Sequence, residues 1–454
     1  MSEATATSTE TNAPLPPGPD GLPILGNTLD VMRRPLGFFE DAAEYGDVVT
    51  YRLAGQRFTA VFHPDHVERV LVDDHDRFRR WAGEEWGNTF AGYAEEGLLL
   101  SEGDQWHRQR LLIQDAFTPD RIESYADTMV GETERSVERW ADEGRVDLKD
   151  ATSSLTLRIL ARSLFDLDIE GRGDPVRRAA EALNERASIR GVSAFLPAWV
   201  PTPSNRRLHR AMGDLEDVLD DLVAERREDA ADRDDLLSLL LAAETEDGTT
   251  LSEREVRDQL ITFLFAGHET TALSLTYALH ALGHHPDQRR HLREELDEVT
   301  GGEPPSLSDL PQLEYTERVI KETLRLYPPA YALFREATEE AEIGGYRVPE
   351  GSKVSVPQIL VHRDERFYDD PEAFRPERWA DGFEEELPDY AYFPFGGGPR
   401  HCIGMRFAMM ELKEVLPTLL ARLEVEPLGD PDLEFETAIT LQPATPVEAR
   451  VTRR

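Results

Sequence analysis

One cysteine in 454 residues excludes a disulfide framework and every multi-cysteine zinc or iron–sulfur site. It fits a reducing interior. No stretch approaches 18 uninterrupted apolar residues, so nothing is expected to span a bilayer. Residues 1–13 have no apolar run, which argues against both a signal peptide and a membrane anchor. Positive charge is the other shortage: 50 Lys and Arg face 89 Asp and Glu, a net charge of −39. A surface so acidic argues against nucleic acid, whose phosphates need cationic partners. At low salt it repels itself, whereas at molar salt the screening length shrinks to roughly 3 Å and the repulsion largely vanishes. The acidic residues are scattered along the chain and not gathered in one docking tail. This pattern predicts a haloarchaeal protein adapted to a high-salt cytoplasm.

What is present suffices for a sizeable core, with 40% hydrophobic residues. Length permits two or three domains, though one large fold is equally compatible. Residues 1–13 read as a disordered acidic tail, and the run Pro14-Leu-Pro-Pro-Gly-Pro19 as a stiff entry to a single domain over 14–454. Spacing predicts helices at 36–45, 64–73 and 104–117, then an almost wholly helical stretch from 121 to 242. Strands are expected at 48–53 and 57–62 around Ala54-Gly55, and again around Ile343 and over 348–356. An aromatic loop at 79–100 and an apolar break with Phe195, Leu196, Trp199 and Val200 are candidate pocket walls or a mobile lid; simple surface packing is the alternative.

Ser252-Glu-Arg-Glu255 is a capping box that opens a helical run as far as His285. At 1.5 Å per residue such a helix crosses a whole domain. Its middle is apolar all round except for Gly267, Glu269 and Thr270, and an all-round apolar helix is a buried one. A glycine inside a helix costs about 1 kcal/mol relative to Ala, and burying a carboxylate without partners costs more. Two such costs within three residues point to a groove beside Ala266 and Gly267 with a hydroxyl and a carboxylate at hand. Close helix packing at the glycine is the plainer alternative. Glu322 and Arg325 share one face of the helix expected at 310–327, and Arg378 lies where a loop could fold back to complete a buried triad. The only cysteine stands in Phe395-Gly-Gly-Gly398-Pro-Arg400-His-Cys402-Ile-Gly404, directly before an amphipathic run from Met405 to Leu423. A helix start favours a thiolate, and the glycines allow close approach. The loop reads as a socket holding one thiolate against something planar and metallic; a Gly/Pro surface loop that happens to carry a buried cysteine is the plainer alternative.

Taken together, these elements resemble the cytochrome P-450 superfamily of haem-thiolate monooxygenases. The cysteine loop matches Phe-x-x-Gly-x-Arg-x-Cys-x-Gly, and Glu-x-x-Arg stands at Glu322 and Arg325. Pro-Glu-Arg stands at 376–378, the Ala-Gly-x-Glu-Thr-Thr element at 266–271, and Trp-x-x-x-Arg at Trp106 and Arg110, all in family order. Two positions depart from the family pattern, Asp115 where a proline is frequent and Trp379 where Phe is common. The resemblance implies a mainly α fold with a small β region: a triangular prism with haem b held between the long central helix and the helix after the cysteine loop. It implies Cys402 as iron ligand, with Phe395, Gly398 and Gly404 shaping its loop. Arg400, Trp106, Arg110 and Arg335 would hold the haem propionates, and Glu322, Arg325 and Arg378 would form a structural brace. Ala266 would line the distal groove, where Thr270 and Glu269 form an alcohol–acid pair relaying protons.

The implied reaction is insertion of one dioxygen atom into an apolar organic substrate by a cytoplasmic enzyme. Electrons would come from a separate ferredoxin- or flavodoxin-type donor with its reductase, since no flavin domain and no anchor before Pro14 are seen in the sequence. A peroxide-driven peroxygenase of the same fold is disfavoured by Glu269-Thr270. In a haem-based sensor or carrier without turnover, that pair would be idle. A cysteine hydrolase lacks a positioned base, because His401 is merely adjacent.

Overall fold

A computed structural model describes residues 13–81, 91–169, 174–188, 196, 199–227, 233, 235–243, 248 and 250–454. Most of the expected acidic tail, Trp86 and Phe90 of the aromatic loop, and Phe195 of the apolar break lie outside the described residues. The chain divides into two units. One comprises residues 1–82, 332–368 and 387–401, and the other residues 83–331, 369–386 and 402–454.

The first unit is built on a sheet. β1 (Val48–Leu53) and β2 (Gln56–Val61) pair antiparallel, with Val48 opposite Val61. Between them Ala54 and Gly55 turn at φ +49° and +85°, the two positive φ values that a tight hairpin compatible with strand twist requires. β3 (Phe78–Arg80), β4 (Leu333–Ala337) and β5 (Lys353–Val356) complete a five-stranded sheet in the order β1-β2-β5-β4-β3, and β2 and β5 run parallel. The region expected as one strand over 348–356 is two. Tyr346–Val348 pairs with Ala341–Ile343, and β5 joins the large sheet after a turn at Gly351, φ +75°. Val61, Val70, Ile343, Val354 and Val356 are wholly enclosed beneath this sheet, and Phe393 packs against them. β-Branched residues suit that half-buried pleated surface.

The second unit is helical. Its site-bearing helices are α1 (Gly103–Gln114), α2 (Leu148–Phe165), α3 (Asp174–Ala187), α4 (Glu253–His284), α5 (Glu314–Leu326) and α6 (Met405–Arg422). The helix expected over 104–117 ends as α1 at Gln114 and closes with a tight turn at Asp115–Phe117. The capping box of α4 is complete. Ser252 Oγ accepts from the Glu255 amide at 3.1 Å, and Glu255 accepts from the Ser252 amide at 2.9 Å. α4 lies along α2. Thr156 Oγ1 donates to the His268 carbonyl at 2.9 Å, and the Thr152 and Thr276 hydroxyls meet at 2.9 Å. A β-carbon on Gly267 would come within 2.4 Å of Leu160 Cδ1. Of the two roles open for Gly267, the structure therefore selects close packing of α4 on α2. Short strands with charged, alternating sequences were not foreseen: Arg145–Asp147, Leu423–Pro427 and Glu448–Arg453 form one sheet, while β6 (Phe435–Thr437) and β7 (Leu441–Pro443) form a hairpin.

Candidate active site

Glu322 on α5 is the most heavily coordinated carboxylate among the described residues. It accepts from Arg325 Nε and Nη2, Arg378 Nε, the Arg375 amide and Trp379 Nε1, each at 2.9 Å. Arg325 and Arg378 spend their remaining donors on the carbonyls of Asp369, Asp370, Pro371 and Ala373. Burial alone would push the Glu322 carboxyl up. Arg325, Arg378 and the Arg375 amide outweigh that, so it lies below its ordinary value. The helix spacing pointed to Glu322 and Arg325. Trp379 had shown only as a departure from a pattern, yet its indole N–H makes a bond that Phe could not supply.

The cysteine loop is positioned at both ends. On the sheet side, Gly398 adopts φ +65°, and a β-carbon there would fall 1.8 Å from the Leu71 carbonyl oxygen; only glycine fits. Gly398–Arg400 form a tight turn, closed by the His401 amide donating to the Gly398 carbonyl at 3.1 Å. Phe395 and Arg400 are half-buried there, as is Arg335 on β4, whose Nη1 donates to the Phe334 carbonyl at 2.9 Å. On the helical side, Cys402 precedes α6, and the Gly404 amide bonds to its sulfur. Burial pushes the Cys402 thiol up, while the Gly404 amide and the Arg110 guanidinium pull it back towards the thiolate. Arg110 is half-buried on α1, and Trp106 on the same helix is buried with its ring edge-on to His107. α1 is held in place by Gln109, fully buried, which accepts from Ser101 Oγ at 2.8 Å and donates to the Glu96 carbonyl at 2.7 Å and to Glu255 at 3.1 Å. Sequence periodicity gave no hint of Gln109, since a glutamine at a helix core position reads as ordinary.

From Asp258 to Leu282 every position of α4 is buried except Ala266, which is exposed, and Gly267, Glu269 and Thr270, which are half-buried. Two consecutive helical residues diverge by about 100°, and Glu269 and Thr270 accordingly go separate ways. Thr270 Oγ1 donates to the Ala266 carbonyl at 2.7 Å. Glu269 Oε1 accepts from Gln442 Nε2 on β7 at 3.0 Å and from Asn184 Nδ2 on α3. No hydrogen bond joins the acid to the alcohol. Burial pushes the Glu269 carboxyl up to about 7 against the opposing pull of Lys149, Asn184 and Gln442. Asn184 and Gln442 had no sequence signal; they lie 85 and 173 residues from Glu269.

Cys402 is solvent-accessible, yet enough protein surrounds its sulfur for burial to raise the thiol. A sulfur both reachable and enclosed suits a bound group. The donor set, one thiolate-forming sulfur with a guanidinium beside it, suits a soft metal ligand and acidic substituents. The window at Ala266, flanked by the buried rings of Phe263 and Phe265, suits an apolar plane. The residues present fit haem.

The sequence model described as cytochrome P450 matches residues 16–450. The chain is 35% identical to the cyclooctat-9-en-7-ol 5-monooxygenase of Streptomyces melanosporofaciens, over 90% of this chain and 89% of that one. It is 34% identical to the pentalenene oxygenase of Streptomyces avermitilis, over 91% and 92% respectively. Among solved structures, the retinoic acid-bound cyanobacterial CYP120A1 superposes with a TM-score of 0.87 at 26% identity, covering 98% of this chain and 100% of that one.

Proposed function

The chain belongs to the cytochrome P450 family, and on that premise we propose how its own residues serve the reaction. The protein is a mainly α haem-thiolate monooxygenase that inserts one atom of dioxygen into an apolar organic substrate. Haem b, when bound, supplies the oxidising chemistry, with thiolate ligation favouring O–O cleavage.

In this reading residues 14–454 work as one catalytic domain, and Cys402 is the iron ligand. The Gly404 amide and Arg110 stabilise the sulfur's negative charge, while Phe395 and Gly398 shape the loop that presents it. Trp106, Arg110, Arg335 and Arg400 hold the cofactor's carboxylates by charge-assisted bonds. Ala266 leaves room on the substrate side, and Thr270 orients dioxygen with its hydroxyl. Glu269 supplies protons, a role supported by a carboxyl near the midpoint of titration at neutral pH. Glu322, Arg325 and Arg378 brace the loops without touching substrate. The observation that carries the reading is the accessible Cys402 with the Gly404 amide and Arg110 beside its sulfur. The carbon-monoxide difference spectrum of the reduced holoprotein tests it: a thiolate-type band is expected, and a folded holoprotein without one overturns the reading.

The substrate class we assign is a cyclic, terpene-type hydrocarbon or its alcohol, supported by relatives named for acting on pentalenene and on cyclooctat-9-en-7-ol. A spin-state titration with such compounds against fatty acids and steroids decides it. Saturable shifts confined to the last two classes would sink the assignment. We assign electron supply to a separate ferredoxin- or flavodoxin-type donor. A cytoplasmic, high-salt setting is supported by the scattered net charge of −39 and the lone cysteine. No helix among the described residues is long and apolar enough to cross a membrane.

A further inference from the structure

Glu269 lines a cavity of about 250 Å³ bounded by α2, α3, α4 and the β6–β7 hairpin. Gln442, 4% exposed, and Asn184 reach it from two elements far apart in sequence, and both donate to the same carboxyl oxygen, Oε1. Their own amide oxygens, Gln442 Oε1 and Asn184 Oδ1, are buried without a partner among the described residues. We propose that Asn184 and Gln442 are positioning residues for proton transfer, a two-amide clamp that keeps Glu269 turned into this cavity and accommodates its carboxyl with or without a proton. The inference rests on the proton-supplying role of Glu269 given above and extends it to residues that role does not include.

The two amides are not equivalent. Asn184 Nδ2 also donates to the Ala180 carbonyl at 3.2 Å. Turning it over would set two oxygens against each other, so Asn184 is a fixed donor. Gln442 Nε2 donates to Thr440 Oγ1 at 2.5 Å, and a hydroxyl donates as readily as it accepts. Gln442 can therefore turn over without losing Thr440. In one setting its N–H faces a carboxylate; in the other its oxygen accepts from a carboxylic acid. Because Gln442 addresses Oε1, the proton that its turned oxygen accepts is one carried on Oε1.

The cavity wall suits proton supply. α2 contributes Lys149 and Asp150, and α3 contributes Arg177, Glu181 and Glu185. α4 itself adds His268, held neutral by burial, and β6 adds Glu436; the Tyr277 hydroxyl, which feels the Glu269 charge from off the cavity wall, is likewise held neutral by burial. Carboxylates outnumber cations there, and Arg177 is already paired with Glu181 at 2.7 Å. An acidic mouth raises the local concentration of cations, protons included. A proton arriving from water in this cavity neutralises Glu269, and its departure towards Thr270 restores the carboxylate.

The test compares Gln442→Leu and Asn184→Ser with wild type and with Glu269→Gln in the holoenzyme. It reads product formed per oxygen consumed across pH, and the infrared carbonyl band of the protonated carboxyl, assigned by its loss in Glu269→Gln. Both amides favour the charged form. Removing either raises the proton affinity of Glu269, so the alkaline limb and the infrared titration move up together by about one pH unit. The thiolate carbon-monoxide band serves as the folding control, and whichever variant retains it carries the test. An infrared titration unmoved in a folded variant overturns the clamp. If Glu269→Gln stays coupled while the infrared titration still moves in the amide variants, the proton-supplying role fails and the clamp on the carboxyl survives.

Discussion

Arg378 Nε lies 2.9 Å from Glu322 Oε1 across 56 residues of sequence, and both side chains are almost wholly buried. The pair makes the short turn Pro376–Trp379 a lid on α5. Because Arg325 and Trp379 reach the same carboxylate, its charge is fully compensated. A buried ion pair adds little over a well-packed apolar isostere, but removing one partner strands the other charge.

Glu322→Gln should therefore cost about 3–5 kcal/mol of stability. Thermal unfolding and the yield of haem-loaded protein measure it. Trp379→Phe removes one donor of five and should cost only about 1 kcal/mol. Equal losses in the two variants would contradict the coordination described for Glu322.

Cys402→Ala should abolish the thiolate-type carbon-monoxide difference spectrum while leaving far-ultraviolet circular dichroism unchanged. Arg110→Leu removes a charge that favours the thiolate. The variant should keep the band at neutral pH and lose it at a higher pH than wild type does as acid is added.

Thr270→Ala deletes a hydroxyl whose one hydrogen bond among the described residues is to the Ala266 carbonyl of its own helix, so stability should hardly change. Proton-transfer groups contribute on the order of 100-fold, and product formed per oxygen consumed should drop about tenfold or more. Unchanged coupling, read by oxygen electrode and product analysis, would remove Thr270 from the reaction.

Glu414 on α6 is wholly buried, with neither carboxyl oxygen partnered among the described residues. Burial first, then Asp127 and Asp309, pushes it from near 4.5 up to about 8. The folded state thus holds a proton that the unfolded chain releases across this window. Stability contributed below about pH 4.5 is lost as pH rises towards 8. Melting temperature should fall between pH 5 and 8, and Glu414→Gln should flatten that slope. A wild-type melting temperature that rises over the same range would contradict it.

Potassium chloride at molar concentration should raise the melting temperature by several degrees, because screening to roughly 3 Å removes the self-repulsion of a net charge of −39. A melting temperature independent of salt would count against the high-salt setting.

Much of this protein was legible before any coordinates. The cysteine loop, the capping box at Ser252 and the Glu322–Arg325 spacing are local patterns, written within a few residues by backbone geometry and helical period. Binary patterning likewise foretold the long buried helix and the β1–β2 hairpin. Local pattern left Gly267 open between groove and packing, and only the 2.4 Å approach to Leu160 chose. It placed Glu269 and Thr270 side by side in sequence but could not say that they turn to different partners. Nor could it bring Asn184 and Gln442 to Glu269, since neither leaves a periodic trace at the residue it serves. Sequence by itself determined the chemistry the chain carries, because ligand and donor types are read residue by residue. The tertiary structure alone decided which buried charges are compensated and where the acid faces, because burial and hydrogen bonding between distant segments exist only once the chain has folded.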